Sequence, residues 1–485
     1  MNTICALATA SGNAAIAIIR ISGKDTFKIV SKIFIPAGKK PFEKTPSSSL
    51  RFGTIVPDIN KEDIKDKDII DEVLVSVFRS PRSYTGENSC EISCHPSPYI
   101  IRKILELLVD NGADMATPGE FTRRAFVNNK MDLAQAEAVA DLISSETESA
   151  HNVAMTQMRG GFSQELSDMR AQLVHIVSLM ELELDFSEQD VEFADRKELS
   201  QLVDKLSKHI VKLVKSFTLG NVIKNGVPCA IVGATNTGKS TFLNAILGED
   251  LAIVSDIDGT TRDSIEDTIN LGGVSFRFID TAGIRNSTET IEMIGIERTY
   301  YKMRQASVLI LMLDVKREDE IKSSIENFAK KLKETTSEDT LKEDPRDIFI
   351  LVNKCDTIKK EKLEKILEGI KQNINEYQLK VNKIIPLSAK KKEGIEDFTT
   401  ALVNSQKDKF SNLDTTLVTN LRHYQALSKS LESLYRVQDG MKQDIPTDLI
   451  SQDIREALYN IGTITGEIST DEILGDIFKN FCIGK

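Results

Sequence analysis

Apolar residues follow three different spacings along this chain, and each spacing predicts a different kind of domain. Near the amino terminus, short runs such as AIAIIRI, DEVLVSVF and SCEISC are separated by turn signals and predict strands. The run IIRKILELLVDNG has helical spacing and closes on a glycine, which is typical of a helix end. We therefore predict a small α+β domain over residues 1–118.

Helical spacing dominates residues 119–218 and returns in residues 408–485. The first stretch contains AQAEAVADLISSETESAHNVAMTQM and ELSDMRAQLVHIVSLMELEL, with Gly160-Gly161 as a joint, and the second contains LRHYQALSKSLESLYRVQDG. Their similar character predicts two halves of one discontinuous helical domain. The acidic run DFSEQDVEF is either a solvated helix end or a cation site.

Between these halves, residues 222–405 alternate helices with continuous apolar runs of strand length. Runs such as PCAIVG, SVLILMLDV and DIFILVNK suit strands of a parallel sheet that is covered on both faces. DTINLGGVSFRFID predicts a hairpin with a Gly-Gly turn. The fold class predicted for the whole chain is multidomain α/β, with an inserted, mostly parallel α/β domain.

Composition narrows the possible partners and the compartment. The chain has 485 residues, which suggests about three domains, and its net charge of −11 disfavours non-specific nucleic-acid binding. The six cysteines are scattered, which favours a reducing, cytoplasmic compartment. Cys90 and Cys94 precede His95, but on a strand the two thiols are about 13 Å apart, too far for one metal ion. No apolar run reaches the length of a membrane span, and the apolar amino terminus is better explained by two strands than by a signal peptide.

The stretch GATNTGKS at 233–240 matches the phosphate-binding P-loop, following an apolar strand and preceding a helical run. Its glycines allow backbone N–H groups to face phosphate oxygens. Lys239 supplies a positive charge to the β and γ phosphates, and Ser240 supplies a hydroxyl to Mg²⁺. The chance alternative is a glycine-rich turn.

Further nucleotide motifs follow in order, each after a strand or in a loop. Thr261, in GTTRD, can reach Mg²⁺, and Asp280 and Gly283, in DTAG, can lie near the metal and the γ-phosphate. In NKCD, Asp356 can accept hydrogen bonds from N1–H and the 2-amino group of guanine, a donor pair that adenine lacks. The predicted GTP-binding residues are Asn236, Thr237, Gly238, Lys239, Ser240, Thr241, Asp280, Thr281, Ala282, Gly283, Asn353, Lys354, Asp356, Ser388, Ala389 and Lys390.

The glutamine that often follows Asp-x-x-Gly and orients the attacking water is replaced here by Ile284. Asn236, inside the P-loop, offers an oxygen that could hold a monovalent cation, with backbone carbonyls of residues 255–260 completing the cage. Such a cation would stabilise the charge that develops between the phosphates. The alternative role of Asn236 is a loop-stabilising hydrogen bond.

From end to end the chain resembles the tRNA-modification GTPases of the MnmE (TrmE) family. The resemblance is carried by IRISG at 19–23, PGEFTRRAFVNNKMDLAQAEAVADLI at 118–143, the guanine motifs and the terminal FCIGK. It implies a tetrahydrofolate-binding N-terminal domain that forms a homodimer, and a Ras-like GTPase domain activated by K⁺. It also implies an FAD-containing partner in a heterotetramer, and modification at C5 of the tRNA wobble uridine with a 5-formyl- or methylene-tetrahydrofolate donor.

The resemblance also assigns individual residues. Asn236, Ser255, Ile257 and Thr260 match the K⁺ ligands, and Glu292 matches the glutamate that orients the attacking water, although alone it looks like a helix-surface carboxylate. Arg20, Glu87, Lys130 and Lys485 match the folate-binding positions. Alone, Arg20 and Glu87 would be read as members of surface salt bridges. Cys482 lies in the family's terminal motif, with a catalytic or redox role left open, and Thr235 replaces the usual proline of the loop.

Two other functions fit parts of the sequence. A regulatory GTPase in ribosome or RNA assembly would also contain the guanine motifs, but that function does not explain the presence of IRISG, Lys130 and FCIGK. A folate-binding scaffold with a vestigial nucleotide domain conflicts with the intact Lys239, Ser240, Thr261 and Asp280.

Overall fold

The computed structural model describes two compact units. The first unit contains residues 1–143, 155–206 and 429–485, and the second contains residues 144–154 and 207–428. The structure describes every residue of the chain except 1, 11, 13, 60–64, 186–195, 249–266, 280–302, 336–345, 411–415, 444, 470, 480 and 485. Among the described helices, none combines the length and the apolar composition needed to cross a membrane.

The strands and helices are numbered in chain order. The strands are β1 (Ile4–Leu7), β2 (Ala17–Ser22), β3 (Phe34–Pro36), β4 (Ser49–Ile55), β5 (Asp71–Phe78), β6 (Ser89–Cys94), β7 (Asp114–Met115), β8 (Val227–Val232), β9 (Asp267–Leu271), β10 (Val274–Phe278), β11 (Val308–Asp314), β12 (Asp347–Asn353) and β13 (Lys383–Pro386). The helices are α1 (Thr26–Val30), α2 (Pro98–Asp110), α3 (Glu120–Val127), α4 (Leu133–Ile143), α5 (Glu148–Met158), α6 (Gly161–Asp185), α7 (Arg196–Asn225), α8 (Lys239–Leu247), α9 (Glu318–Thr335), α10 (Lys360–Glu376), α11 (Ile395–Phe410), α12 (Leu421–Lys442), α13 (Thr447–Thr465) and α14 (Asp471–Phe478).

The first unit contains a seven-stranded sheet in the order β3-β4-β5-β6-β2-β1-β7. Its pairs are antiparallel except for the short parallel pair of β1 and β7. In β5, residues alternate between buried and more exposed positions, as DEVLVSVF predicts, and α1 and α2 contribute to the core on the buried face. The other face carries Arg20 of β2 directly opposite Glu91 of β6. The predicted α+β character of this region is confirmed.

The C-terminal helices of the first unit pack against helices from the middle of the chain. Helix α13 lies along α6, and α14 contacts α3. Ion pairs join Arg455 to Glu181 and Arg170 to Glu467, the second at 2.9 Å. Phe478 and Phe481 bury their rings beside Leu133. Residues far apart in sequence thus share one helical core, while the predicted domain boundaries stay predictions.

One predicted helical run is interrupted. The apolar spacing of residues 134–158 suggests continuous helix, but α4 ends at Ile143 and α5 begins at Glu148. The hydroxyl of Thr147 accepts a hydrogen bond from the backbone N–H of Ala150 at 3.1 Å. This is an N-cap, and it satisfies a donor that the first turn of a new helix leaves without a helical partner.

The second unit contains a six-stranded sheet in the order β13-β12-β11-β8-β10-β9. All neighbouring pairs are parallel except the hairpin of β9 and β10, which turns at Gly272-Gly273. Helices α8 and α11 cover one face, and α9 and α10 cover the other. The mostly parallel sheet and the hairpin are therefore confirmed. Because parallel strands point the same way, the loops after β8, β11, β12 and β13 meet at one edge.

Candidate functional site

The P-loop connects β8 to α8 at the carboxyl edge of the second sheet, and two of its glycines are required by close packing. A Cβ atom on Gly233 would lie 2.5 Å from the carbonyl oxygen of Met312. A Cβ atom on Gly238, where φ is +99°, would lie 2.2 Å from Nδ2 of Asn353. Only glycine fits both positions, and the loop leads directly into the N-terminus of a helix, where phosphate is favoured.

The side chains of the P-loop are partly engaged by the loop itself. The buried Thr237 hydroxyl donates to the carbonyl of Ala234 at 2.9 Å. The ammonium of Lys239 donates to the carbonyls of Gly233 and Ala234 at 2.8 and 2.7 Å. This holds the Lys239 charge at the mouth of the loop, next to the first turn of α8, which carries Ser240 and Thr241.

Asn236 adopts a left-handed conformation, with φ of +62°, and its side chain is exposed. Asparagine tolerates this conformation better than most residues because its short polar side chain imposes little strain. The amide oxygen is thus available on the solvent side of the loop. That placement fits a cation ligand. Asn236 also helps to stabilise the loop, but through its backbone carbonyl, which accepts a hydrogen bond from Lys354.

Asn353, at the end of β12, ties three of the predicted motifs together. Its Nδ2 donates to the carbonyl of Thr237 at 2.8 Å. Its Oδ1 accepts from the backbone N–H of Lys354 at 2.8 Å and of Ala389 at 3.0 Å. The asparagine is buried and uses both ends of its amide, so the P-loop and the two loops predicted to recognise the base are held in one arrangement.

Lys354 forms a second link between the P-loop and the strand ends, and its partner Asp314 was not identified from the sequence. Its ammonium donates to the carbonyl of Asn236 at 2.9 Å and to Oδ2 of Asp314 at 2.6 Å. Asp314 ends β11, the strand between β8 and β12. In the sequence, Asp314 looks like the ordinary end of an apolar strand. Its position at the same sheet edge as Asn353 is the feature that could have indicated a role in the site.

The residues predicted to recognise the base occupy the loops after β12 and β13. Asp356 is half-buried in a short 3₁₀ turn over Cys355–Thr357. Ser388 and Ala389 are buried beside Asn353, while Lys390 is exposed. Ser388 forms an isolated bridge with Glu393, with backbone hydrogen bonds of 2.9 and 3.2 Å. The structure therefore brings the described nucleotide residues to one edge of the sheet.

Ten of the predicted site residues lie outside the described residues. They are Ser255, Ile257, Thr260, Thr261, Asp280, Thr281, Ala282, Gly283, Glu292 and Lys485. Their predicted roles in Mg²⁺, K⁺, water and folate binding stay predictions.

In the first unit, Arg20 is held by residues that lie far from it in the sequence, one of them near the C-terminus. Its Nε and Nη2 donate to one oxygen of Glu91 at 3.0 and 2.8 Å, and its Nη1 donates to the carbonyl of Gly484 at 3.1 Å. The guanidinium also lies 5.6 Å from the ring centres of Tyr84 and Phe121. Arg20 is thus fixed in orientation by groups that the sequence analysis did not identify.

Glu87 is held by a buried arginine that the sequence analysis also missed. The carboxylate accepts from the Ser22 hydroxyl at 2.9 Å and from Nη1 of Arg124 at 3.2 Å. The Arg124 side chain is only 5% exposed, and it also pairs with Glu120 at 2.9 Å. Charged side chains are rarely buried unless paired, so Glu87 belongs to a built network.

Lys130 lies close to this network. Its ammonium donates to the carbonyl of Pro81 at 3.1 Å, and its Cγ would lie 3.3 Å from a Cβ placed on Gly86. The C-terminal segment reaches the same region, because the backbone N–H of Gly119 donates to the carbonyl of Cys482 at 3.4 Å. The Cys482 side chain is exposed. Arg20, Glu87 and Lys130 thus share one region with the C-terminal segment.

Cys90 and Cys94, which the sequence suggested as part of a strand, are buried on β6. Burial raises the pKa of the Cys94 thiol to about 11 and raises that of Cys90 further. Both thiols are thus held in the protonated form. The neighbouring His95 pairs through Nδ1 with Asp71 at 2.7 Å.

Sequence comparison places the chain in a known family. The profile of the MnmE helical domain matches residues 133–482, and that of the GTP-binding protein TrmE N-terminus matches residues 3–130. The tRNA modification GTPase MnmE of Bacteroides thetaiotaomicron is 49% identical over 486 residues, which span 100% of this chain and 99% of the relative. The namesake from Parabacteroides distasonis is 47% identical over 100% of both chains.

Among solved structures, a GTP-binding protein from Sulfolobus solfataricus in complex with GDP is 18% identical and covers 50% of this chain and 67% of its own, with a TM-score of 0.29. That score is too low to carry a structural equivalence. The full-length relatives and the two profiles are sufficient by themselves. The chain belongs to the MnmE family of tRNA modification GTPases.

Proposed function

We propose that this protein is a cytoplasmic GTP hydrolase that acts in tRNA modification. The observation that carries the proposal is the position of Asn353, whose amide joins the P-loop at Thr237 to the loop of Ala389. This places Lys239 and Asp356 at one sheet edge, so phosphates and a guanine base can be bound together. The full-length relatives named as tRNA modification GTPases support the same activity.

The residues of the P-loop fit a nucleotide with Mg²⁺ and K⁺. Glycine is required at 233 and 238 by close packing of the loop against Met312 and Asn353. Ser240 lies in the first turn of α8, where its hydroxyl would hold Mg²⁺ with Thr261. The exposed amide of Asn236 fits K⁺ with Ser255, Ile257 and Thr260. A cation at that position supplies positive charge where negative charge develops on the phosphates, and Glu292 would orient water.

The network around Glu87 supports a folate site in the first unit. Two donors already fix the carboxylate, and its remaining lone pairs suit the paired N–H donors of a pterin. Arg20, Lys130 and Lys485 suit the carboxylates of the folate glutamate tail. We propose that 5-formyl- or methylene-tetrahydrofolate binds here as one-carbon donor for C5 of the wobble uridine. The homodimer would act with an FAD-containing partner.

Two experiments test this function. GTP hydrolysis is measured at equal ionic strength in KCl and NaCl, with Lys239→Ala as the inactive control. We expect faster turnover in KCl, and equal rates would contradict the K⁺ proposal.

Mass analysis of the wobble nucleoside in cells lacking the protein tests the pathway. A missing C5 substituent is expected, whereas a normal nucleoside together with intact GTPase activity would favour a regulatory GTPase.

A further inference from the structure

Asp314 is a buried carboxylate at the edge where the P-loop and the guanine-binding loops meet. Its side chain is 3% exposed. Each carboxylate oxygen has its own donor: Oδ2 accepts from the Lys354 ammonium at 2.6 Å, and Oδ1 accepts from the backbone N–H of Lys316 at 2.9 Å. The aspartate thus fixes Lys354 to the end of the central strand β11.

Lys354 passes this constraint to the P-loop. Its ammonium also donates to the carbonyl of Asn236 at 2.9 Å. Lys354 and Asn236 both have left-handed backbones, with φ of +67° and +62°. A lysine rarely adopts this conformation unless its surroundings hold it there, whereas asparagine tolerates it more readily. The contact between them is one such restraint, and Asp314 fixes its orientation.

We propose that Asp314 is a positioning residue for nucleotide binding, which acts by holding the Lys354 ammonium against the carbonyl of Asn236. The inference rests on the proposed guanine-nucleotide function. A site assembled in advance does not have to order its loops when the nucleotide binds, and this raises affinity without any direct contact to the ligand. Asp314 would therefore slow nucleotide release.

The variant Asp314→Asn tests this role because it keeps the shape of the side chain and removes one hydrogen-bond acceptor. Asp314 uses two acceptor oxygens, while an asparagine has one oxygen and one N–H₂ group. The N–H₂ group would therefore face either the Lys354 ammonium or the Lys316 N–H, and one of the two hydrogen bonds is lost. The charge that strengthens the Lys354 contact is lost as well.

The same β11–β12 pair offers a matched control at its other end. Asp347, the first residue of β12, also uses both oxygens, accepting from Asn382 at 2.8 Å and from Gln406 at 2.5 Å. It lies six residues before Asn353 on the same strand, which is about 20 Å at the strand rise. Asp347→Asn therefore repeats the chemical change in the same sheet, away from the P-loop.

The measurement is the dissociation rate of a fluorescent methylanthraniloyl derivative of GDP from the full chain, in the wild type and four variants. The variants are Asp314→Asn, Asp347→Asn, Lys354→Gln and the double variant of Asp314 and Lys354. We expect Asp314→Asn to release the nucleotide roughly tenfold faster, the change that follows from one charge-assisted hydrogen bond. We expect Asp347→Asn to release it at the wild-type rate.

The double variant separates positioning from general destabilisation. If Asp314 acts through Lys354, Asp314→Asn adds nothing in the Lys354→Gln background, whereas independent effects would multiply. A multiplied effect, or a wild-type release rate for Asp314→Asn, would overturn the proposal. If Asp314→Asn does not fold, Asp314→Ser, whose smaller side chain cannot serve both the Lys354 ammonium and the Lys316 N–H, is tested by the same tenfold criterion. A wild type that binds no GDP would instead refute the proposed function itself.

Discussion

The side-chain amide of Asn353 donates a hydrogen bond to the backbone carbonyl of Thr237 at 2.8 Å, which joins the guanine-binding motif to the P-loop across 116 residues of sequence. The opposite end of the same amide accepts two backbone N–H groups. One buried side chain therefore links the P-loop to the two loops predicted to recognise the base.

Removing this amide should separate the P-loop from these two loops. Asn353→Ala leaves the Ala389 N–H and the Thr237 carbonyl without their partner, at about 1–3 kcal/mol for each buried group. We expect GTP affinity to fall by about a hundredfold or more. The control Asn382→Ala also removes an amide that both donates and accepts, to Asp347 and from Ile348, but at the opposite sheet end. Titration with a fluorescent GTP analogue would contradict the role of Asn353 if both variants bound equally.

A methyl group at position 238 should disrupt the same contact between Asn353 and the P-loop. Gly238→Ala places its Cβ 2.2 Å from Nδ2 of Asn353 and also strains a backbone with φ of +99°. Gly273→Ala is the control, because φ is +83° there but the space around the added Cβ is open. Both variants should lose about 1–2 kcal/mol to strain. Only Gly238→Ala should lose nucleotide binding, and retained binding in that variant would mean the packing is not restrictive.

In the first unit, the buried Arg124 should be essential for stability. Arg124→Met leaves Glu87 and Glu120 without their shared cation, and breaking a buried pair typically costs about 3–5 kcal/mol. Arg102→Met is the control, since Arg102 is 70% exposed and its pair with Glu106 should contribute less than about 1 kcal/mol. Urea unfolding measures both losses. Similar losses in the two variants would show that the network around Glu87 is not stabilising.

Glu120 should give this unit a defined acid sensitivity. Burial acts to raise its pKa, but hydrogen bonds from Thr117 and Arg124 outweigh burial and hold the pKa below its ordinary value of 4.5. A depressed folded-state pKa stabilises the fold above the ordinary value, and the contribution is lost as pH falls through the folded-state pKa. Thermal midpoints of the wild type and Glu120→Gln should therefore differ most at neutral pH and converge as the pH falls below the ordinary value of 4.5 and through the lower folded-state pKa. A constant gap would contradict this linkage.

The sequence was sufficient to predict the nucleotide edge because parallel strands align their ends. The apolar runs before GATNTGKS, NKCD and SAK each fix where a strand stops, and the fold then brings the three loops together. Neither Asp314 nor Arg124 belongs to such a motif. Their roles depend on partners 40 and 37 residues away, Lys354 and Glu87, and no local spacing reveals a contact of that kind.

The break between α4 and α5 was missed for a different reason. Helical spacing recurs on both sides of the polar residues 144–147, so periodicity alone favours one helix. Thr147 is of a residue type favoured at the N-cap, and its hydroxyl does cap the new helix. Local hydrogen bonding by a short polar side chain here prevailed over the periodic pattern.

The central claim, that this sheet edge reads guanine through Asp356, is tested most directly by exchanging the acceptor for a donor. Asp356→Asn puts an N–H₂ group where guanine also presents an N–H₂ group, whereas xanthine presents an oxygen there. In competition titrations, we expect the wild type to prefer GTP and the variant to prefer xanthosine triphosphate, each by tenfold or more, roughly one hydrogen bond. An unchanged preference for GTP in the variant would contradict the account.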